Sequence, residues 1–103
     1  MSKKNDSIFD YEFLEKLVVG IGEVSLLTQV PTRQIRYWEQ KKVIVSLTEE
    51  DGKNRRYDYR NIKKIEWIKE LMEDGYTLDA ASQKITKKIE QLEKMMVKSK
   101  KLK

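Results

Sequence analysis

The first amphipathic stretch of the chain spans residues 8–18. Helical spacing places Tyr11, Leu14 and Val18 on one face, and three residues are candidates to cap the helix: Asp6, Ser7 and Asp10. We therefore predict a helix in this leader. Its apolar face is compatible with two roles, which are to cover the core of the same domain or to contact a second copy of the chain.

Two further amphipathic stretches follow, separated by a short turn that ends in proline. We predict a short helix over residues 23–28, with Val24 and Leu27 buried, and a second helix over residues 32–42. Proline lacks an N–H where none is needed and so begins the second helix favourably. Two short helices about a turn of three residues indicate a helix-turn-helix.

The second of these helices has two chemically different faces. Ile35 and Trp38 form an apolar side, which we predict to be core. The opposite face carries guanidinium, phenol and amide groups, contributed by Arg33, Arg36, Tyr37 and Gln40. Such a face suits a DNA major groove, although the same pattern also occurs on solvated helices. The segments on either side of this helix favour the interpretation that this face binds a major groove.

The polar pattern changes after the second helix from helical to extended. Val43–Val45 predicts a strand, residues 51–52 predict a turn, and Arg55–Tyr57 predicts a return strand. A hairpin that directly follows a recognition helix is a wing. Its basic return strand is placed to reach phosphates, the alternative being a solvated turn.

Two more helices are predicted in the rest of the chain. Asp58 caps a helix over residues 59–74, Gly75 ends it, and Thr77 opens the next one. The buried stripe of the first helix comprises Ile62, Ile65, Ile68 and Leu71 or Met72.

From residue 85 onward the apolar spacing alternates between four and three, which is a coiled-coil seam. The predicted seam consists of Ile85, Ile89, Leu92 and Met96. An isolated helix of this length has little stability in water, so it needs a partner. That partner is either the body of the domain or, as we favour, a second copy in a homodimer.

Composition excludes several classes of function. The chain contains no cysteine and no histidine, which removes thiolate sites, the commonest metal ligand and the commonest general base. We expect no enzyme activity, no cofactor and no metal. No apolar run or leader signal indicates a membrane protein, so we expect a cytoplasmic, nucleoid-associated protein.

The net charge of +5 is concentrated at one end of the chain. Residues 86–103 carry seven lysines and two glutamates, whereas 15 basic and 15 acidic residues balance over residues 1–85. Global charge therefore does not argue for nucleic acid, and local basic clusters must carry that argument.

Taken in order, these motifs resemble the DNA-binding domain of the MerR family of bacterial transcription regulators. The resemblance rests on the Ile-Gly-Glu start, the R-x-x-R-Y-aromatic-Glu helix, the Arg-Arg-Tyr strand and the Gly-Tyr-Thr-Leu step at residues 75–78. It covers roughly residues 19–85. The chain is similar to short members without an effector domain, related to the nitrogen regulators GlnR and TnrA.

The resemblance implies a mainly α fold with a small β-hairpin, a winged helix-turn-helix in which a second helix pair forms an additional wing. It implies a homodimer that binds double-stranded DNA at a pseudo-palindromic operator and distorts it, often for RNA polymerase at a promoter. We divide the chain into an extension (1–18), the DNA-binding domain (19–85) and a short dimerisation helix with a basic tail (86–103). The residues expected to contact DNA are Arg33, Gln34, Arg36, Tyr37, Lys53, Arg55, Arg56 and Tyr57.

The chain departs from the family pattern at two turn positions. Gln29 stands where glycine is usual, and Pro31 stands where serine is common. One alternative function is an excisionase-like architectural factor that bends DNA without regulating a promoter. Another is a protein-interaction module that has kept the fold and lost DNA binding, against which the intact basic positions argue.

Overall fold

In the computed structural model, which describes residues 10–48 and 54–101, the chain forms five helices and a small three-stranded antiparallel sheet. Two compact units follow one another along the chain, Met1–Ile65 and Glu66–Lys103. The elements are α1 (Tyr11–Leu14), β1 (Val18–Gly20), α2 (Ile21–Thr28), α3 (Thr32–Gln40), β2 (Leu47–Thr48), β3 (Arg55–Asp58), α4 (Tyr59–Glu73) and α5 (Leu78–Lys101).

The sheet has the order β1-β3-β2, with β3 in the centre. Val19 lies opposite Tyr57, and Leu47 lies opposite Arg56. The return strand of the predicted hairpin is therefore present, as β3. The predicted turn at residues 51–52 lies outside the described residues.

The strand predicted at Val43–Val45 is wrong, because the first strand of the hairpin is Leu47–Thr48. Val43 and Ile44 are buried, and the Val43 N–H donates to the Trp38 carbonyl at 2.9 Å. This bond closes a Schellman motif at the end of α3, with Lys42 at a φ of 64°. The first two residues of this β-branched run are therefore apolar because they enter the core, whereas Val45 is exposed.

The leader is helical over only one turn, Tyr11–Leu14, and the predicted helix to residue 18 is wrong. Val18–Gly20 instead pairs with β3, since a β-branched pair favours a strand once a partner strand is available. Phe13 and Leu17 are exposed, so they do not belong to the core of this unit.

The helix-turn-helix forms as predicted, with one change in its buried face. Val24 is buried, but Leu27 is 66% exposed and Thr28 takes the inward position. Thr28 follows Val24 by one helical turn and donates its hydroxyl to the Val24 carbonyl at 2.8 Å. Its polar atom is therefore satisfied inside the core.

The turn between α2 and α3 contains a residue in the left-handed region. Gln29 has φ 61° and ψ 29°, and its N–H donates to the Ser25 carbonyl at 2.7 Å. The Ser25 hydroxyl donates to the Val30 carbonyl at 2.6 Å. These bonds hold the turn in the backbone conformation that a glycine at this position would adopt without strain.

The predicted caps of the later helices are present. The Asn61 N–H donates to Asp58 Oδ1 at 3.0 Å at the start of α4. Gly75, at φ 106°, closes a Schellman motif at its end, and the Ala80 N–H donates to Thr77 Oγ1 at 3.1 Å at the start of α5. Of the predicted α4 stripe, Ile65 and Ile68 are fully buried, and the remaining members are half-buried.

The seam predicted on α5 is only partly available to a second chain. Ile85 and Ile89 are buried within the single chain, whereas Leu92 is 42% exposed. The Met96 side chain lies outside the described part of the structure. The burial of the first two seam residues agrees with the alternative in which the body of the chain is the partner, and the dimerisation role of the seam stays a prediction.

Replacing Gln29 with glycine should raise the free energy of unfolding by up to about 1 kcal/mol. A left-handed conformation costs an L-residue about 1–2 kcal/mol, of which glycine's greater unfolded-state entropy offsets about 0.5–1 kcal/mol. Gln29→Val should lower stability, because a β-branched residue fits this conformation poorly. Urea denaturation measures both, and a destabilising Gln29→Gly would contradict the left-handed turn.

Candidate nucleic-acid interface

Helix α3 presents the two faces that its sequence predicts. Ile35 and Trp38 are buried, which confirms them as core. Arg33 and Arg36 are exposed, and Tyr37 is 50% exposed. Gln40 is also exposed, while Gln34 is half-buried at the side of the helix. The apolar side therefore anchors the helix while two guanidinium groups and a phenol face solvent.

Glu39 joins this helix to the hairpin. Its Oε1 accepts a hydrogen bond from the Tyr57 hydroxyl at 2.6 Å, and its Oε2 accepts one from the Ser46 hydroxyl at 2.6 Å. The Arg55 Nε lies 3.5 Å from the same Oε2, as an ion pair. Short bonds to an ionised carboxylate are stronger than those between neutral groups.

The phenol of Tyr57 lies in the core, with no exposed surface. Burial, followed by the hydrogen bond to Glu39 and its negative charge, raises the pKa of Tyr57 well above its ordinary value of 10.0. The positive charges of Arg55 and Arg36 oppose this rise. Tyr57 was predicted to contact DNA, and this is corrected, because its hydroxyl is directed at Glu39 inside the protein.

The two arginines of β3 lie on opposite faces of the sheet, as alternation along a strand requires. Arg55 shares the face of Tyr57 and reaches Glu39, whereas Arg56 is exposed on the other face. Arg55 is thereby joined to α3. Lys53, also predicted to contact DNA, lies outside the described residues.

The segment between α3 and β2 is fixed to the start of α4. Asn61 is buried, and its Oδ1 accepts a hydrogen bond from the Val45 N–H at 2.9 Å. Its Nδ2 donates to Asp58 Oδ1 at 2.9 Å. The entry to the hairpin is thus held by Asn61 from one side and, through Ser46, by Glu39 from the other.

Three residues that organise this site were not identified from the sequence as site residues: Glu39, Ser46 and Asn61. Glu39 did carry a signal, because it follows the buried Ile35 by four residues and so lies on the inward side of α3. Nothing local marks Ser46, whose partner is seven residues away. The bonds of Asn61 to nearby Asp58 do not reveal its bond to Val45, which is 16 residues away.

The second unit carries two lysines placed over aromatic rings. The Lys88 Nζ lies 4.4 Å from the centre of the Trp67 ring, and the Lys84 Nζ lies 5.8 Å from that of Tyr76. Cation–π contacts of this kind orient an ammonium group without neutralising its charge. This unit therefore contains positive charges held in place by ring contacts.

Comparison with known proteins identifies the arrangement. Residues 20–88 match the family described as "MerR HTH family regulatory protein". The chain belongs to the MerR family. The transcriptional regulator TnrA of Bacillus subtilis is 36% identical over 66 residues, which are 64% of this chain and 59% of TnrA. GlnR of Bacillus anthracis is 36% identical over 78 residues, which are 76% of this chain and 60% of GlnR.

A solved structure agrees with this assignment at the level of the fold. It is the crystal structure of a MerR-family transcriptional regulator from Bacillus cereus, with a TM-score of 0.61 and 18% identity. The similarity covers 84% of this chain and 72% of that one. This MerR chain spans about 60% of the length of TnrA and GlnR, and within residues 10–48 and 54–101 no helix meets the requirements for crossing a membrane.

Tyr57→Phe should lower the free energy of unfolding by about 1.5–3 kcal/mol at pH 7, because it removes a hydrogen bond to a charged acceptor. The raised pKa makes this contribution fully present below about pH 10 and diminishes it as the pH rises further. Urea denaturation from pH 7 to 11 measures the difference between the two proteins, which should shrink above pH 10. A constant difference would contradict the burial of the phenol, and exposed Tyr37→Phe serves as the control.

Proposed function

We propose that this MerR-family chain is a transcription regulator that binds a pseudo-palindromic operator as a homodimer and distorts the DNA. The observation that carries the proposal is the outward face of α3. Arg33 and Arg36 lie one helical turn apart beside Tyr37, and all three are exposed. A helix fits the major groove, where arginine reads guanine edges and the phenol packs on backbone or a thymine methyl.

The hairpin supplies the second contact to the same duplex. Arg55 lies next to α3, and Arg56 is exposed on the opposite face of the sheet. Phosphate contacts of this kind position a protein on DNA, whereas base contacts supply the sequence information. We assign a phosphate contact to Arg55 in the hairpin.

Dimerisation supplies the twofold symmetry that a palindromic site requires. On α5, Leu92 and Met95 are both exposed and lie three residues apart. Two exposed apolar side chains on one face of a helix suit a contact with the same helix of a second copy. Action at a promoter, together with RNA polymerase, belongs to the same proposal.

Selection of bound fragments from the source genome, at near-physiological salt and followed by sequencing, tests this proposal. Recovery of an inverted repeat between promoter elements is the expected result. Direct repeats near an attachment site would instead favour the architectural, excisionase-like function. Unrelated fragments, with affinity that collapses as salt rises, would mean backbone binding only and would overturn sequence-specific regulation.

Arg36→Ala should weaken binding to the selected operator by about 1–3 kcal/mol and relax discrimination at one base position. Fluorescence anisotropy against operator and scrambled duplexes measures both effects. Lys41→Ala is the control, since it removes the same charge just beyond the end of α3. An equal loss on every duplex would make Arg36 a phosphate contact.

Leu92→Glu should convert the dimer to a monomer, because it places a charge within an apolar contact. Light scattering at several concentrations measures the mass. Gln91→Glu adds the same charge on a neighbouring exposed position of α5 and should leave the dimer intact. An unchanged mass for Leu92→Glu would place the interface elsewhere, with exposed Phe13 and Leu17 as the next candidates.

A further inference from the structure

Glu39 is the single acidic residue of α3, a helix that we propose to lie against a polyanion. A carboxylate close to DNA phosphates is repelled by them, and this repulsion weakens DNA binding. A carboxylate at this position therefore needs a compensating contribution to the structure or to binding. Its side chain is only 19% exposed and makes the three contacts described above. The contribution therefore lies on the inner side of the helix.

Its partners come from both ends of the described hairpin. Ser46 immediately precedes β2, whereas Arg55 and Tyr57 lie within β3. The two carboxylate oxygens divide them, with Tyr57 on Oε1 and the other two on Oε2. One side chain of α3 thus holds the chain that enters the hairpin and the strand that leaves it.

The contact with Arg55 is made at the Nε of its guanidinium group. Its Nε lies on the Glu39 side and has no hydrogen-bond partner among the described residues, while the side chain as a whole is 37% exposed. Guanidinium is a rigid planar fork with five donors. Fixing its Nε edge therefore fixes the direction in which its remaining donors point.

We propose that Glu39 is a positioning residue for DNA recognition, which holds the hairpin at a set angle to α3 and directs the Arg55 guanidinium toward a phosphate. The inference rests on the proposed function and deepens it. Helix and hairpin then dock on DNA as one preorganised unit. Because the Arg55 side chain and the hairpin are already ordered before docking, binding loses less conformational entropy.

Glu39→Gln separates this role from simple electrostatics, because the two predict opposite changes in the affinity for operator DNA. The substitution removes a negative charge, so charge alone predicts tighter binding to all DNA. Positioning predicts binding to the operator that is about tenfold weaker, since a neutral amide holds Arg55 poorly. Exposed Glu23→Gln on α2 is the matched control, for which only the electrostatic gain is expected.

The salt dependence gives a second readout, which a merely structural role would not change. Loss of one phosphate contact should reduce the slope of log affinity against log salt by about 0.9. In an Arg55→Ala background, Glu39→Gln should have no further effect on the slope, as a double-mutant cycle requires if Glu39 acts through Arg55. An unchanged slope in the single variant would overturn the role assigned to Arg55.

Anisotropy is measured with the full chain on a duplex carrying the selected inverted repeat and on a scrambled duplex of equal composition. Circular dichroism establishes that each variant is folded at the assay temperature. If Glu39→Gln does not fold, Tyr57→Phe replaces it, because it removes one contact to Glu39 without changing charge; it should also weaken operator binding.

The outcomes separate the two proposals. If the unmodified protein shows no preference for the operator duplex, the proposed function fails. If it shows that preference and Glu39→Gln binds the operator as tightly or more tightly, the positioning role fails while the function stands. Weaker operator binding by Glu39→Gln, together with the reduced salt slope, supports the positioning role; binding to the scrambled duplex should weaken as well, because a phosphate contact is lost on every sequence.

Discussion

The connection between α3 and the hairpin depends on one carboxylate. Glu39 lies on the inward side of α3, where its two oxygens accept hydrogen bonds from the hydroxyl groups of Ser46 and Tyr57. One of these oxygens also lies close to Arg55. Without Glu39, a helix of nine residues and a very short hairpin would lose the hydrogen bonds and the ion pair that restrain the angle between them. Hydrogen bonds to a partly buried charge are directional and strong, and they fix that angle.

Local chemistry made much of the fold predictable. The spacing of α3 separates Ile35 and Trp38 from the exposed arginines, and burial confirms this division. Gly75 ends α4 because its left-handed conformation suits glycine, and Asp58 caps the same helix through a side-chain bond three residues along. In each case the residues that cause the structure lie within one or two helical turns of each other.

The errors arose where distant partners decide the structure. Val18–Gly20 is a strand because β3 pairs with it. Val43 is buried and caps the end of α3, where its N–H donates to the Trp38 carbonyl. Tyr57 was read as a DNA contact from its basic neighbours, but its hydroxyl partner lies 18 residues away in the sequence. Ile85 and Ile89 fit a coiled-coil spacing equally well whether they pack inside the chain or against a second copy, so periodicity could not separate these cases.

A crystal structure of the full chain on its selected operator duplex would show whether α3 and the hairpin bind DNA as one unit joined by Glu39. We expect Arg33 and Arg36 in the major groove, Arg55 on a phosphate, and the Tyr57 hydroxyl still bonded to the Glu39 carboxylate. A complex in which Tyr57 leaves the core to contact a phosphate, or in which α3 faces away from the duplex, would contradict this expectation.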